Sequence, residues 1–251
     1  MYRWLKALTL TLALAALNMV SVSCGSSDQA QVRFVHAMED GAAMDIYING
    51  PTDVNPNLVF INVSFLGIQP TQPGYSTVPS GTDTIEGLLS GTSNIGFNST
   101  PIDLNGGQQY TVIATGFVAN GQNAVILPIA DDIPTPESNY VAFRAIHASP
   151  SGPSNVDIYI QLNPTSGPSG SPAISGLGYE HASGYVSLPN NPNNDTLPPG
   201  FTAYVTLAGS TVPIFTEQIN PLGGAVRSLV LTDVQNAKTM SQSFLELSDL
   251  N

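Results

Sequence analysis

The sequence predicts an all-β protein built from two tandem β-sandwich domains. Short runs of β-branched and aromatic residues alternate with Gly, Pro, Asn or Ser, which is typical of strands joined by turns. No stretch after residue 24 has the spacing of an amphipathic helix. The chain also contains two similar copies of about 100 residues, a usual domain size. Apolar residues make up 42% of the sequence, enough to fill two cores.

The first 23 residues have the pattern of a secretory signal peptide. A start with two basic residues leads into a nearly continuous apolar run at residues 7–20, and small residues precede Cys24. The run has 14 residues, whereas a helix needs about 20 to cross a bilayer. We therefore assign residues 1–23 to a signal peptide and residues 24–31 to a short tether.

The end of this segment resembles a bacterial lipoprotein signal, in which the cysteine becomes the lipid-modified N-terminus. Ser21 stands where such signals most often have Leu, and Ser21 with Ser23 also fits an ordinary signal peptidase site. The resemblance implies that Cys24 carries the lipid and anchors the protein in a membrane. Gly25 and Ser26 follow, which by the same resemblance implies the outer membrane, on its periplasmic or its surface face.

The chain is strongly acidic. After Cys24, four basic residues stand against 18 acidic ones, which gives this part a net charge of −14. This balance argues against nucleic acid and against anionic lipid surfaces, because both are bound through basic patches. It leaves weak binding of Ca²⁺ open. Cys24 is the only cysteine, so the domains are stabilised by core packing and not by an internal disulfide.

A polar motif occurs once in each copy. The run VRFVHAMEDGAAMDIYING (residues 32–50) returns as FRAIHASPSGPSNVDIYIQ (residues 143–161). Both runs contain Arg-x-x-His-Ala, a short polar or Pro/Gly turn, and Asp-Ile-Tyr-Ile. The shared polar residues are Arg33, His36, Asp45 and Tyr47 in the first copy and Arg144, His147, Asp157 and Tyr159 in the second.

The repeat extends well beyond this motif and sets the predicted domain boundaries. The stretch YSTVP at Tyr75 matches YVSLP at Tyr185, and the second copy continues almost to the C-terminus. We assign residues 32–133 to the first domain and residues 141–251 to the second. Residues 134–140 form a linker interrupted by proline.

The order of the motifs resembles the DUF4397 family, bacterial secreted domains of undefined function. The residues that carry the resemblance are RFVHA and DIYING, then Tyr-x-x-Val-Pro-x-Gly from Tyr75, then GGQQYTV at residues 106–112. The second copy departs from it, since Arg227 stands opposite Tyr110. The resemblance implies two tandem Ig-like or transthyretin-like sandwiches and an address in the cell envelope. It implies no chemistry.

The two histidines are predicted to be structural. His36 shares a strand face with Val32 and Phe34, and a lone histidine on an apolar face is usually a core residue with satisfied ring nitrogens. A metal site would need three or four converging ligands. If the two strands of the motif pair through their turn, His36 faces Asp45, and a base or a metal ligand with an aspartate partner is the functional alternative. The same reasoning holds for the second copy.

The two arginines are also predicted to be structural. We expect Arg33 and Arg144 to be half-buried in mid-strand and to pair with Asp45 and Asp157, the nearest carboxylates in the sequence. A bidentate pair would fix the register of the two strands. The functional alternative is a site for an anion or a carboxylate ligand.

Other chemistry finds little support in the sequence. There is no nucleophile elbow, phosphate-binding loop or dinucleotide fingerprint, so we expect no catalytic residue, no cofactor and no dedicated metal site. Tyr47 and Tyr159 are expected to pack in the core or at its rim, with an aromatic platform for sugars as the alternative. Asp131 and Asp132 are expected to be solvated at a strand end, with calcium ligation as the alternative.

These observations predict a lipid-anchored envelope protein that is not an enzyme and has a structural, display or binding role. A carbohydrate-binding or adhesion module is the main alternative, and a hydrolase of envelope polymers is a weaker one. A glycan or protein partner would be met at loops, since loops carry function on sandwich scaffolds. The loops that differ between the copies are residues 51–57, 163–176 and 190–200.

Overall fold

The computed structural model describes residues 29–49, 57–118, 124–162, 167–190, 200–234 and 241–250. The predicted signal peptide, Cys24 and most of the loops at 51–57 and 190–200 lie outside these residues. The described residues form 17 strands and no helix, so the all-β prediction is confirmed. Among them, no helix has the length and apolar character needed to cross a membrane.

The first unit, residues 29–132, forms two sheets. Its strands are β1 (Gln29–His36), β2 (Met44–Ile48), β3 (Asn57–Val63), β4 (Ile68–Gln69), β5 (Ser76–Pro79), β6 (Gly81–Leu89), β7 (Ile95–Leu104), β8 (Gln109–Thr115) and β9 (Val125–Ala130). Sheet A has the order β4–β1–β8–β9, with β5 also pairing with β1. Sheet B has the order β3–β2–β6–β7. All pairs are antiparallel except β1 with β8.

The second unit, residues 140–250, repeats this arrangement. Its strands are β10 (Tyr140–His147), β11 (Asn155–Leu162), β12 (Ile174–Gly178), β13 (Val186–Pro189), β14 (Phe201–Leu207), β15 (Pro213–Ile219), β16 (Val226–Asp233) and β17 (Gln242–Leu250). Sheet C has the order β13–β10–β16–β17, and sheet D has the order β12–β11–β14–β15. Strands β10 and β16 are again parallel. A single bridge between Ile146 and Ala182 stands where the first unit has β4.

Each unit buries alternate residues of its two sheets in a core of its own. Phe34 of β1 stacks on Phe60 and Phe97, with ring centroids 6.1 and 6.4 Å apart. In the second unit, Phe143 of β10 packs edge-on against Phe201 at 5.1 Å. Successive side chains of a strand point to opposite faces, so these positions fix which residues of β1 and β10 point inward.

A third apolar cluster joins the two units. Its buried members include Val35, Ile113, Ile146, Val230 and Leu247, which come from sheets A and C. Sheets A and C therefore pack against each other through the faces turned away from their own cores. The sheets stack in the order B, A, C, D. Strand β1 from Val32 onward and most of strand β10 are buried on both faces.

Candidate functional site

The repeated arginines lie on the sheet face opposite to the core. Because Phe34 points inward, the neighbouring Arg33 points toward the second unit, and Arg144 points in the same way toward the first. Arg33 is 0% exposed and Arg144 is 2% exposed. The prediction that they are half-buried is wrong, because sheets A and C cover each other at this point.

Each arginine forms an ion pair with an aspartate of the other unit. Nη2 of Arg33 contacts Oδ1 of Asp249, and Nη2 of Arg144 contacts Oδ1 of Asp131. A longer contact of 3.7 Å joins Nη2 of Arg33 to Oδ2 of Asp131. The Nη1 group of each arginine donates to a backbone carbonyl beside its partner aspartate, at 3.4 and 3.2 Å. The ion pairs therefore link β1 to the end of β17, and β10 to the end of β9.

Each guanidinium is also held by a hydroxyl of its own unit. Nε of Arg33 donates to Oγ1 of Thr111 at 2.9 Å, and Nε of Arg144 donates to Oγ of Ser228 at 2.6 Å. Each hydroxyl in turn donates to the aspartate of its own unit, at 2.6 Å in both cases. Asp131 and Asp249 thus each accept hydrogen bonds from both units. These charge-assisted bonds hold sheets A and C together.

A tyrosine stacks on each guanidinium. The ring of Tyr75 lies 5.2 Å from Cζ of Arg33, and that of Tyr185 lies 4.9 Å from Cζ of Arg144. The two hydroxyls donate to the aspartates of their own units at 2.8 and 3.0 Å. Burial raises the pKa of both tyrosines, and the charge of Asp131 raises that of Tyr75 further. Both hydroxyls therefore remain protonated donors.

We call these eight side chains the ion-pair network. Its members are Arg33, Tyr75, Thr111 and Asp131 from the first unit and Arg144, Tyr185, Ser228 and Asp249 from the second. Each unit supplies the same four roles, so the contact is self-complementary in the way of a two-fold dimer. Burial alone would lower the pKa of Arg144, but the charge of Asp131 raises it, so this guanidinium stays charged. The network balances two positive and two negative charges.

The two histidines hold the connection that follows β1 and β10. Nδ1 of His36 accepts from the N–H of Met38 at 3.2 Å, and Nε2 donates to the carbonyl oxygen of Ala42 at 3.1 Å. His147 makes the equivalent two bonds in the second unit, at 3.4 and 2.7 Å. This bond pattern assigns the neutral tautomer with the proton on Nε2. Burial lowers the pKa of both histidines, in agreement with a neutral ring.

The motif aspartates contact neither histidine nor arginine. Asp45 accepts bonds from the N–H of Asn62 at 2.8 Å, the hydroxyl of Ser90 at 2.9 Å and the N–H of Gly91 at 3.1 Å. Partial burial alone would raise the pKa of Asp45, but these hydrogen bonds lower it below its ordinary value. Asp157 accepts from two backbone N–H groups, both at 2.7 Å. The predicted pairing with the motif arginines is wrong, because β1 and β2 belong to different sheets, as do β10 and β11.

The motif tyrosines lie on the outer faces of sheets B and D. Tyr47 stands between Leu58 and Glu86 in the register of sheet B and is half-buried. Tyr159 faces Tyr204 across β11 and β14, and both are buried. Tyr159 therefore presents no open platform to a sugar.

Sequence reasoning singled out the two arginines of the ion-pair network but missed Thr111, Ser228 and Asp249, and it misjudged Asp131. That residue was expected to be solvated at a strand end, yet it is 5% exposed and bound to Arg144. Thr111 and Ser228 carried a usable signal, because they stand at equal distances after the Gly-Gly pairs of the two copies. In the part of the chain that the structure describes, no three His, Cys, Asp or Glu side chains are grouped to hold a metal ion.

Comparison with known proteins places the chain in a family. No curated protein matches it. Among solved structures, the Bacillus anthracis TIE protein is 9% identical, with 81% of this chain and 34% of that chain covered and a TM-score of 0.26. This chain thus spans about a third of that protein's length.

Two further structures are similarly distant. A streptococcal virulence factor, described as binding alpha-glucan, is 10% identical over 80% of this chain and 92% of that chain, with a TM-score of 0.25. A putative cell adhesion protein from Bacteroides ovatus ATCC 8483 is 12% identical over 89% and 98%, with a TM-score of 0.24. Similarity at this level identifies no common function. The family model described as "Domain of unknown function (DUF4397)" matches residues 30–159, more than half of the chain, so the protein belongs to the DUF4397 family.

Proposed function

We propose that the protein is a lipid-anchored component of the cell envelope that displays a surface or binds a partner and catalyses no reaction. One observation supports this most. The charged groups that the repeat supplies in mid-strand, Arg33 and Arg144, are buried in bonds between the units, and His36 and His147 are buried in bonds to backbone. These side chains stabilise a scaffold and do not converge on a cleft where a substrate could react.

The contacts between the two units support the role of a stiff spacer. Sheets A and C share an apolar cluster and the ion-pair network, and the hydroxyl of Thr115 also donates to the carbonyl oxygen of Ala148 across the units at 2.6 Å. Contacts of this kind oppose the relative motion that a flexible linker alone would allow. A partner bound to one unit would therefore be held at a fixed position relative to the other.

We further propose that the second unit is a second DUF4397 domain. Its sheets have the same strand order as those of the first unit, and the parallel pair β10–β16 repeats β1–β8. Arg144 faces Ser228 in this pair as Arg33 faces Thr111 in the first. The Ig-like or transthyretin-like character of both units belongs to this proposal.

The lipid anchor would hold the first unit close to the membrane. Strand β1 begins at Gln29, five positions after Cys24. An extended chain of this length reaches at most about 18 Å. We propose that the anchor lies in the outer membrane.

Expression of the full chain in a Gram-negative bacterium tests the anchor. We expect the protein to incorporate a palmitate analogue and to sediment with the outer membrane, whereas Cys24→Ala should do neither. Ser21→Leu, which supplies the residue most common in such signals, serves as the matched variant and should be labelled at least as well. A wild-type protein that is unlabelled and released in soluble form would contradict the anchor.

A further inference from the structure

A polar cleft lies beside the ion-pair network in the first unit. It has a volume of about 390 Å³ and is lined by residues of β1 and β5, by the start of β8 with the turn before it, and by the residue after β9. The lining residues are Gln29, Gln31, Thr77, Gly107, Gln108, Gln109 and Asp131. The volume lies within the range of small-molecule sites, about 300 to 1,000 Å³. Such sites are mostly apolar, whereas this one presents amides, a hydroxyl and a carboxylate.

The amides of the cleft form an ordered row. Gln31 faces Thr77 on one side and Gln109 on the other in the register of sheet A. Nε2 of Gln109 donates to Oε1 of Gln31 at 2.8 Å, and Nε2 of Gln108 donates to Oδ1 of Asp132 at 3.1 Å. The first of these bonds leaves the Nε2 group of Gln31 and the Oε1 atom of Gln109 to a ligand.

This chemistry fits a neutral ligand with many hydroxyl groups. An amide pair that offers both a donor and an acceptor matches a sugar hydroxyl, which also donates and accepts. None of the residues that line the cleft is cationic. The charge of Asp131 is balanced within the ion-pair network, and the exposed Asp132 adds a negative charge beside the cleft. Anionic ligands are therefore disfavoured.

The second unit provides an internal control, because its equivalent row lacks amides. In the matching register, Ala142 stands between Ser187 and Val226. The linker also packs across this end of sheet C. Asn190 donates its N–H to the carbonyl oxygen of Asn139 at 2.7 Å, and Gly223 lies so close to Ser138 that an added Cβ would stand 2.1 Å from its carbonyl oxygen.

We infer that the cleft of the first unit is a binding site for a neutral oligosaccharide, with Gln31 and Gln109 as the residues that recognise hydroxyl groups. The inference rests on the proposed binding role and names its ligand class. The cleft has no aromatic platform among its lining residues, so we expect weak binding, with a Kd on the order of 0.1 to 1 mM for a single chain.

Calorimetric or NMR titration of residues 25–251, which contain every described strand, tests this inference. The probes are the hexaoses of the malto, cello, laminari and chito series. We expect at least one to bind, and the double variant Gln31→Ala/Gln109→Val, which installs the residues of the second unit, to bind it at least tenfold more weakly. Gln31 is exposed and Gln109 is half-buried, so Tm should stay within about 2 °C of the wild type.

Gln218→Ala is the matched control, since Gln218 is an exposed amide on sheet D that donates to Thr202 at 2.7 Å. It should leave binding unchanged. The inference is overturned if none of the four series binds, or if the double variant binds as the wild type does. Neither of these results alters the palmitate labelling of Cys24, so a failure here is distinct from a failure of the proposed anchor.

Discussion

Two neighbouring rows of paired residues on the facing sides of sheets A and C differ in how far they are repeated between the two units. In the inner row, Arg33 with Thr111 in the first unit matches Arg144 with Ser228 in the second. In the next row, the Gln31 and Gln109 pair of the first unit is replaced by two small or apolar residues. The row that joins the units has equivalent residues in both units, whereas the row that reaches solvent does not. The inner row therefore belongs to the assembly of the two units, and the next row is where we propose that the first unit contacts a ligand.

The largest expected effect comes from breaking the ion-pair network. Asp131→Asn removes the carboxylate that pairs with Arg144 and leaves a buried guanidinium without its counter-charge. Loss of one partner of a buried ion pair costs about 3 to 5 kcal/mol, and we expect the free energy of unfolding in urea to fall by this amount. Asp132→Asn, at the exposed neighbouring residue, is the control and should change it by less than about 0.5 kcal/mol. A cost below 1 kcal/mol for Asp131→Asn would show that the pair is dispensable.

A smaller effect is expected at the turn that the histidines hold. A Cβ at Gly41 would lie 2.7 Å from Cε1 of His36 and 3.1 Å from the carbonyl oxygen of Met38. The ring is fixed by two hydrogen bonds, so Gly41→Ala should cost about 1 to 3 kcal/mol of unfolding free energy. Gly184→Ala is the control, because a Cβ there meets nothing within 4 Å. Equal stability of the two variants would mean that the histidine does not hold the turn.

The histidines also predict how stability depends on pH. Burial lowers the pKa of His36 and His147 below the ordinary value of 6.5, so the unfolded chain binds protons before the folded one does. Their contribution is complete above pH 6.5 and is lost as the pH falls below it, with a slope of at most about 1.4 kcal/mol per pH unit for each. Asp45, whose pKa is lowered from 3.8, acts only at lower pH.

Urea midpoints measured from pH 7.5 to pH 5 test this dependence. The double variant His36→Gln/His147→Gln should show a flatter profile in this window than the wild type. An unchanged slope would exclude the histidines as its source.

The smallest expected effect is that of calcium. The oxygens of Asp131 and Asp249 already accept bonds from arginine, tyrosine and a hydroxyl, so an added cation would have to displace them. We expect Ca²⁺ at 5 mM to shift Tm by less than about 1 °C, and EDTA to have no effect. A rise of several degrees, reversed by EDTA, would restore the acidic strand ends as a metal site.

The sequence predicted which face of a strand each side chain occupies, but it did not predict which distant residues that side chain contacts. Alternation correctly assigned Phe34 and His36 to one face of β1 and Arg33 to the other, because the side-chain period of a strand is local. The partner of Arg33 is 216 residues away, in the other unit, and local spacing favoured the wrong carboxylate at Asp45. Nothing in a strand pattern says that the outer face of a sheet will be covered by a second sandwich.

The same limit explains why the sequence did not predict the cleft. Gln31 and Gln109 are 78 residues apart and meet only because β1 and β8 run parallel in sheet A. The repeat pointed to loops as the place of difference between the copies, whereas the difference at the cleft lies in a row of strand residues. Direct alignment of the two copies at these two registers would have shown it once the parallel pairing was known.

A double-mutant cycle between Arg33 and Asp249 tests most directly that the network joins the two units. Unfolding free energies of the wild type, Arg33→Met, Asp249→Asn and the double variant give the coupling energy of this pair. We expect a coupling of at least about 1.5 kcal/mol, and additivity within about 0.5 kcal/mol for the parallel cycle between Arg33 and Asp45. A coupling near zero for Arg33 with Asp249, or a strong coupling with Asp45, would contradict the account.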